Sequence, residues 1–244
     1  MNLLLLDPGE LDDGGRCVLV GRRARHVIEV LKVTPGARVR AGIVRGGKGE
    51  AVIEAVEEGR VCVQLGELGP TPAPPSVSLI LAMPRPKVVS RALQIAASMG
   101  VARIDLVNAW RVDKTYFHAR RATPDALAAD LRLGCEQGAT TWVPDLAVHP
   151  LLMPFLRESL PARLGADAVA LLAHPREAVA IETAVPSGSA AVVLAIGPEG
   201  GWIEREVASF RERGFTPVSL DAHVLRVEAA IAAALAQLGL LSRL

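Results

Sequence analysis

Residues 67–76 read ELGPTPAPPS, four prolines and a glycine in ten positions. Proline lacks a backbone N–H and fixes φ, so this run neither continues a helix nor pairs inside a sheet; it is a semi-rigid linker. With 244 residues, 50% of them apolar, the chain can build a core on each side of it. The linker therefore divides the chain into residues 1–72 and 77–244.

The two parts differ in rhythm. Before the linker, short β-like runs at 17–20, 38–43, 50–56 and 61–65 are separated by Gly-rich turns such as RGGKGE, with one helical stretch, RRARHVIEVLKV, after the first. Strands about ten residues apart predict a small β-barrel. After the linker, strands at 77–83, 103–109, 168–174, 190–196 and 216–220 alternate with helices at 87–100, 124–138 and 227–240. Thr123-Pro124 starts the second of these helices as a cap followed by proline at the first helical position. Such alternation predicts an α/β domain with a mainly parallel sheet.

The opening MNLLLLDPGE has no basic flank and is broken at once by Asp7-Pro8-Gly9. It is too short for a signal peptide or a spanning helix, which predicts a soluble, cytoplasmic protein with no membrane partner. Cys17, Cys62 and Cys135 form no CxxC pair and read as buried thiols of a reducing compartment.

Ligands of open α/β sheets sit beyond the carboxyl ends of the strands. Three strands end in distinctive loops: LLAHPRE, LAIGPEGGW and VSLDAHVLRVE. The second lacks both the Lys-Ser/Thr of a P-loop and GxGxxG spacing, so neither standard phosphate reading holds. A Gly-Pro-Glu-Gly-Gly turn does offer bare backbone to something flat, such as a purine edge, although a Gly-rich turn after a strand is most often only a turn. In the third loop Arg226 and Glu228 stand at the mouth of an apolar helix, either as a surface pair or as part of a pocket whose wall includes Leu225.

A formal charge of +1 hides two basic regions. Arg22, Arg23, Arg25, Lys32, Arg38, Arg40, Arg45 and Lys48 face only Glu29 between 22 and 48. Between 85 and 121, Arg85, Lys87, Arg91, Arg103, Arg111, Lys114, Arg120 and Arg121 face Asp105 and Asp113. Trp110, Tyr116 and Phe117 interleave with the second set, a combination that stacks bases and grips phosphates. The plainer reading is a solvated charged face. His26 reads first as a core or hydrogen-bonding histidine; with Arg22, Arg23, Arg25, Arg111 and Lys114 it completes the RNA-facing candidates.

AIGPEGGW followed by VLRVEAA resembles the paired signature of the small-subunit (16S) ribosomal RNA uracil-N3 methyltransferases of the SPOUT superfamily. ARHVIEVLKVTPGARVRAGIVRGGKGEAVIEAV is similar to that family's entry segment, and LGCEQG to its Glu-Gln helix. The resemblance covers nearly the whole chain in one order. It implies a PUA-like barrel, an α/β domain with a deep trefoil knot, a homodimer joined through the knot region and last helix, and ribosomal RNA or the small ribosomal subunit as partner. It implies S-adenosylmethionine as cofactor, enclosed by Leu172, His174, Ile196, Gly197, Pro198, Gly200, Gly201, Leu220, Val224, Leu225 and Val227, and no metal.

Uracil N3 carries a weakly acidic proton. On this reading Arg226 stabilises the developing anion, while Glu199 or Glu228 accepts the proton or orients Arg226. The base must leave its stack to be reached. The chain departs from the family pattern at Ser98, at Thr140 and at Asp221-Ala222-His223. Those departures keep two alternatives in view: a SPOUT methyltransferase acting on another RNA position, and a non-catalytic RNA-binding protein that retains the fold.

Overall fold

A computed structural model of the chain describes residues 2–165, 167–186 and 191–243. Two compact units emerge. One comprises Met1–Pro74 with Arg132–Val143; the other comprises Pro75–Leu131 with Pro144–Leu244. The segment 132–143, which the linker division leaves with the second part of the chain, thus packs with the first.

The first unit is a five-stranded sheet of β1 (Leu4–Leu6), β2 (Arg16–Val20), β3 (Arg38–Ile43), β4 (Lys48–Glu57) and β5 (Arg60–Leu68), in the order β1-β3-β4-β5-β2. Among the described residues no ladder joins β1 to β2, so the expected barrel is an open half-barrel. β1 runs parallel to β3, and the other ladders are antiparallel. The leucines at the start of the chain, read only as not a signal peptide, form this first strand: Leu4, Leu5 and Leu6 are buried. Leu4, Leu6, Leu19, Val27, Ile53 and Val63 share one core. The expected single helix is α1 (Gly21–Arg25), which widens into a π turn at His26–Leu31 and stops at Lys32 with φ 50°.

The segment 132–143 completes this unit by polar contacts. Backbone N–H groups of Asn2 and Leu3 donate to Glu136 O, and Arg132 donates to Asp7 Oδ2 and Leu5 O, both at 2.5 Å. Thr141 Oγ1 donates to Gly46 O at 2.7 Å. The three cysteines are unpaired, and burial pushes the Cys17 thiol to about 11 and Cys135 to about 12. Arg23 grips Glu10 with both ends of its guanidinium. That hydrogen bond, outweighing burial, holds the Glu10 carboxyl below its usual 4.5. A depressed carboxylate stabilises above its unfolded pKa and loses that contribution as pH falls through the folded value. Glu10→Gln is therefore expected to cost about 1 kcal/mol at pH 7. Urea melts should show the gap to wild type closing below pH 4.5.

The second unit alternates β6 (Val77–Ala82), α2 (Pro86–Ser98), β7 (Arg103–Val107), α3 (Pro124–Gly138, its last turns lying in the first unit), β8 (Asp145–His149) and α4 (Leu152–Pro154, continued by a π turn at Phe155–Ser159). Then follow β9 (Ala168–Ala173), β10 (Val179–Ala180), α5 (Ile181–Ala184), β11 (Ala191–Ile196), α6 (Glu204–Arg211), β12 (Thr216–Ser219) and α7 (Val227–Leu241). All seven strands are parallel, in the order β10-β12-β9-β11-β6-β7-β8. Central strands covered on both faces read as continuous apolar runs. Leu171, Leu194 and Leu79 lie in one row across β9, β11 and β6, and all three are fully buried.

The sequence gives no sign of β8, β10 or α6. β8 is a half-buried edge strand and β10 has two residues, so neither carries an apolar run. Ala190, the first residue of the strand expected at 190–196, lies outside the described residues. α7 buries Val227, Ala230, Ile231, Ala234, Leu235 and Leu238 at helical spacing and packs against α2. Among the described residues no helix is long and apolar enough to cross a membrane.

Candidate active site

β12, β9 and β11 are consecutive neighbours, so their carboxyl ends open side by side. A cavity there is walled by Ala173, His174 and Pro175 after β9, by residues 196–202 after β11, by Val218, Ser219, Leu220, Asp221, His223, Val224 and Leu225 around and beyond β12, and by Val227 and Ala230 of α7. The cofactor candidates His174, Ile196, Gly197, Pro198, Gly200, Gly201, Leu220, Val224, Leu225 and Val227 all line it. Leu172 does not: it is fully buried inside β9.

The three glycines of the turn are needed for different reasons. Gly201 has φ +73°, the left-handed region that side chains resist, and its N–H closes the turn on Pro198 O at 2.7 Å. A Cβ on Gly197 would stand 3.1 Å from Trp202 Nε1, with the indole ring held edge-on against Phe210. At Gly200 a Cβ would meet the Arg111 stem at 3.1 Å. Arg111 Nη1 also donates to Gly200 O at 2.5 Å, so this RNA-facing candidate braces the turn. Trp202 Nε1 and His174 Nδ1 are buried without a hydrogen-bond partner among the described residues. Burial first, then Arg211 and Arg176, lowers the His174 pKa, which keeps the imidazole neutral near pH 7.

The catalytic candidates do not form one cluster. Glu199 lines the cavity; Arg226 and Glu228 do not, although Leu225 and Val227 on either side of Arg226 do. Neither carboxylate orients Arg226. Glu199 Oε1 accepts from the Arg85 N–H at 3.3 Å and faces Arg85 Nε at 3.8 Å. Glu228 instead faces Arg91 Nη1 at 3.8 Å. Arg226 caps α7, its carbonyl accepting from the Ala230 N–H at 2.8 Å, and its exposed side chain makes no hydrogen bond or ion pair among the described residues. The role of Arg85 was missed in the sequence, but the signal exists: MPRPK follows β6, the sheet neighbour of β11.

The basic regions also divide. Arg23 has 15% of its side chain exposed and is taken up by Glu10. Arg22 is half-exposed, with Nη2 donating to Glu136 Oε2 at 2.6 Å, and Glu136 is fully buried. Arg103 serves the buried Asp105 at 3.0 Å. Arg25 and Lys114 are exposed and make no ion pair among the described residues, whereas His26 is partly buried with its pKa lowered chiefly by burial. Among the departures, Ser98 Oγ donates to Ile95 O and Thr140 Oγ1 accepts from the Trp142 N–H. Asp221 Oδ1 accepts from the His223 N–H at 2.8 Å, a bond that holds its carboxyl below the usual range.

Residues 71–239 match the family model described as RNA methyltransferase domain. The chain is 30% identical over 244 residues to ribosomal RNA small subunit methyltransferase E of Treponema pallidum, covering 97% of this chain and 90% of the relative. The chain belongs to the ribosomal RNA small subunit methyltransferase E family. Two solved structures share its fold with a TM-score of 0.80. One is the methyltransferase E of Neisseria gonorrhoeae bound to S-adenosyl methionine, 25% identical, covering 99% of this chain and 98% of that one. The other is a Legionella pneumophila methyltransferase in complex with the cofactor SAM, 26% identical, covering 98% and 97%. Methyltransferase E membership accounts for the half-barrel followed by a parallel α/β unit, the SPOUT architecture that the sequence resemblance implies.

Proposed function

We propose that the chain transfers the methyl group of S-adenosylmethionine to N3 of a specific uridine in small-subunit ribosomal RNA, acting as a cytoplasmic homodimer. The cavity at the ends of β12, β9 and β11, within a methyltransferase E chain, carries this reading. Its lining fits the cofactor. Gly201 leaves backbone bare for a flat heterocycle, Trp202 Nε1 and His174 Nδ1 lack partners among the described residues, and Leu220, Leu225 and Val227 supply apolar surface. When bound, S-adenosylmethionine supplies an electrophilic methyl group on sulfur.

The chain's own residues position the acceptor and manage one proton, and orientation alone removes much of such a barrier. Glu199 lines the cavity and Glu228 does not, which favours Glu199 as the proton acceptor. Arg85 fixes its Oε1, while Oε2 makes no hydrogen bond among the described residues. Arg226, unpaired, is free to meet negative charge developing on the uracil carbonyl oxygens. Ala229, Ala236 and Leu240 leave an exposed apolar stripe on α7, which supports the dimer. The trefoil knot, and domain limits of 1–72 and 77–244, belong to the same proposal.

Incubation with labelled cofactor and small-subunit ribosomal RNA, followed by nucleoside mass mapping, should give 3-methyluridine. Ribose methylation would favour another SPOUT target, and cofactor binding without any methylation would favour a non-catalytic RNA-binding protein. For RNA contact, Arg25→Glu should weaken binding and flatten its salt dependence with the fold unchanged. Arg23→Glu should instead lower the melting temperature. Equal salt slopes for Arg25→Glu and wild type would remove Arg25 from the interface.

A further inference from the structure

Trp110 is 79% exposed, yet the backbone that carries it is firmly held. Its neighbours Ala109 and Val112 are buried, and the Val112 N–H closes a turn on Ala109 O at 3.0 Å. The Trp110 N–H donates to Glu206 Oε1 at 2.8 Å, and Glu206 is itself buried. Glu206 Oε2 accepts from the N–H of Ile203, the residue after Trp202. Arg111, next in the chain, braces Gly200. The backbone that carries this exposed indole is thus tied from two sides to the turn that walls the cavity.

A single exposed apolar residue is ordinary. A flat aromatic on a backbone segment held against the glycine turn is different, because only its two side-chain torsions must be fixed for it to receive another flat ring. We propose that Trp110 is the stacking platform for an unpaired nucleobase of the RNA substrate, beside the nucleotide that enters the cavity. The cations that follow suit this occupant: the Lys114 and Arg120 side chains are exposed and unpaired among the described residues. Tyr116 and Phe117, the other aromatics of this stretch, are partly buried and less suited to the role. The inference rests on the methyltransferase reading and adds to it the residue that holds the RNA at this edge.

The test uses the full-length protein and a transcript of small-subunit ribosomal RNA. Titration with the transcript should quench wild-type indole fluorescence. Trp110→Phe should lose that quenching while keeping most of the affinity, since phenylalanine still stacks. Trp110→Ala should weaken RNA binding about tenfold, as loss of one stacked base does, with cofactor affinity and melting temperature unchanged. Wild-type RNA affinity in Trp110→Ala, with methylation intact, would overturn the platform and leave the methyltransferase reading standing. Loss of RNA binding in step with a change in sedimentation would overturn it in favour of contact with a second copy of the chain. If wild-type protein neither binds nor methylates the transcript, both readings fall together.

Discussion

Arg226→Ala is expected to slow methylation about a hundredfold at saturating RNA and cofactor, the usual cost of removing one charge-stabilising donor. The structure makes this substitution informative. The Arg226 side chain makes no hydrogen bond or ion pair among the described residues, so its removal leaves no buried partner exposed and the melting temperature should hold. Cofactor and RNA affinities should change far less than the rate, the signature of a contact made mainly in the transition state. Arg226→Lys should recover little, because a flexible point charge does not reproduce a planar fork. Single-turnover methylation decides the matter: a near wild-type rate for Arg226→Ala would remove the residue from the chemistry.

Cofactor affinity should fall about a hundredfold in Gly197→Val and in Gly201→Val, a loss of about 3 kcal/mol. The causes differ. Valine at 201 must take up a left-handed conformation that costs about 1–2 kcal/mol, and relieving it displaces the turn from the cavity. Valine at 197 drives into the Trp202 indole, which is backed by Phe210 and cannot retreat. Gly200→Val should be milder, because what it meets first is the flexible Arg111 stem. Calorimetry on the folded variants measures all three. Wild-type affinity at 197 and 201 would show that this turn is not the cofactor wall.

The parallel alternation and the three convergent loops were legible, because each has a local cause: an apolar run or a glycine cluster. What escaped the sequence depends on partners far along the chain. Nothing local tells Arg23, destined for Glu10, from Arg25, which is left in water. Nor does anything local show that Arg111, an RNA-facing candidate, also braces Gly200. Arg226 and Glu228 looked like a pair two residues apart, but Glu228 faces Arg91 and the Arg226 side chain has no partner among the described residues. β8 was invisible because an edge strand need not be apolar.

The return of residues 132–143 to the first unit bears on how the protein is made. As the chain leaves the ribosome, the half-barrel strands emerge first, but the acceptors and donors that tie down Asn2, Leu3, Leu5 and Asp7 lie on Arg132 and Glu136. More than sixty further residues must be synthesised after the linker before that unit closes. The order of synthesis is therefore not the order of completion: the first unit to appear waits for the second to be well under way.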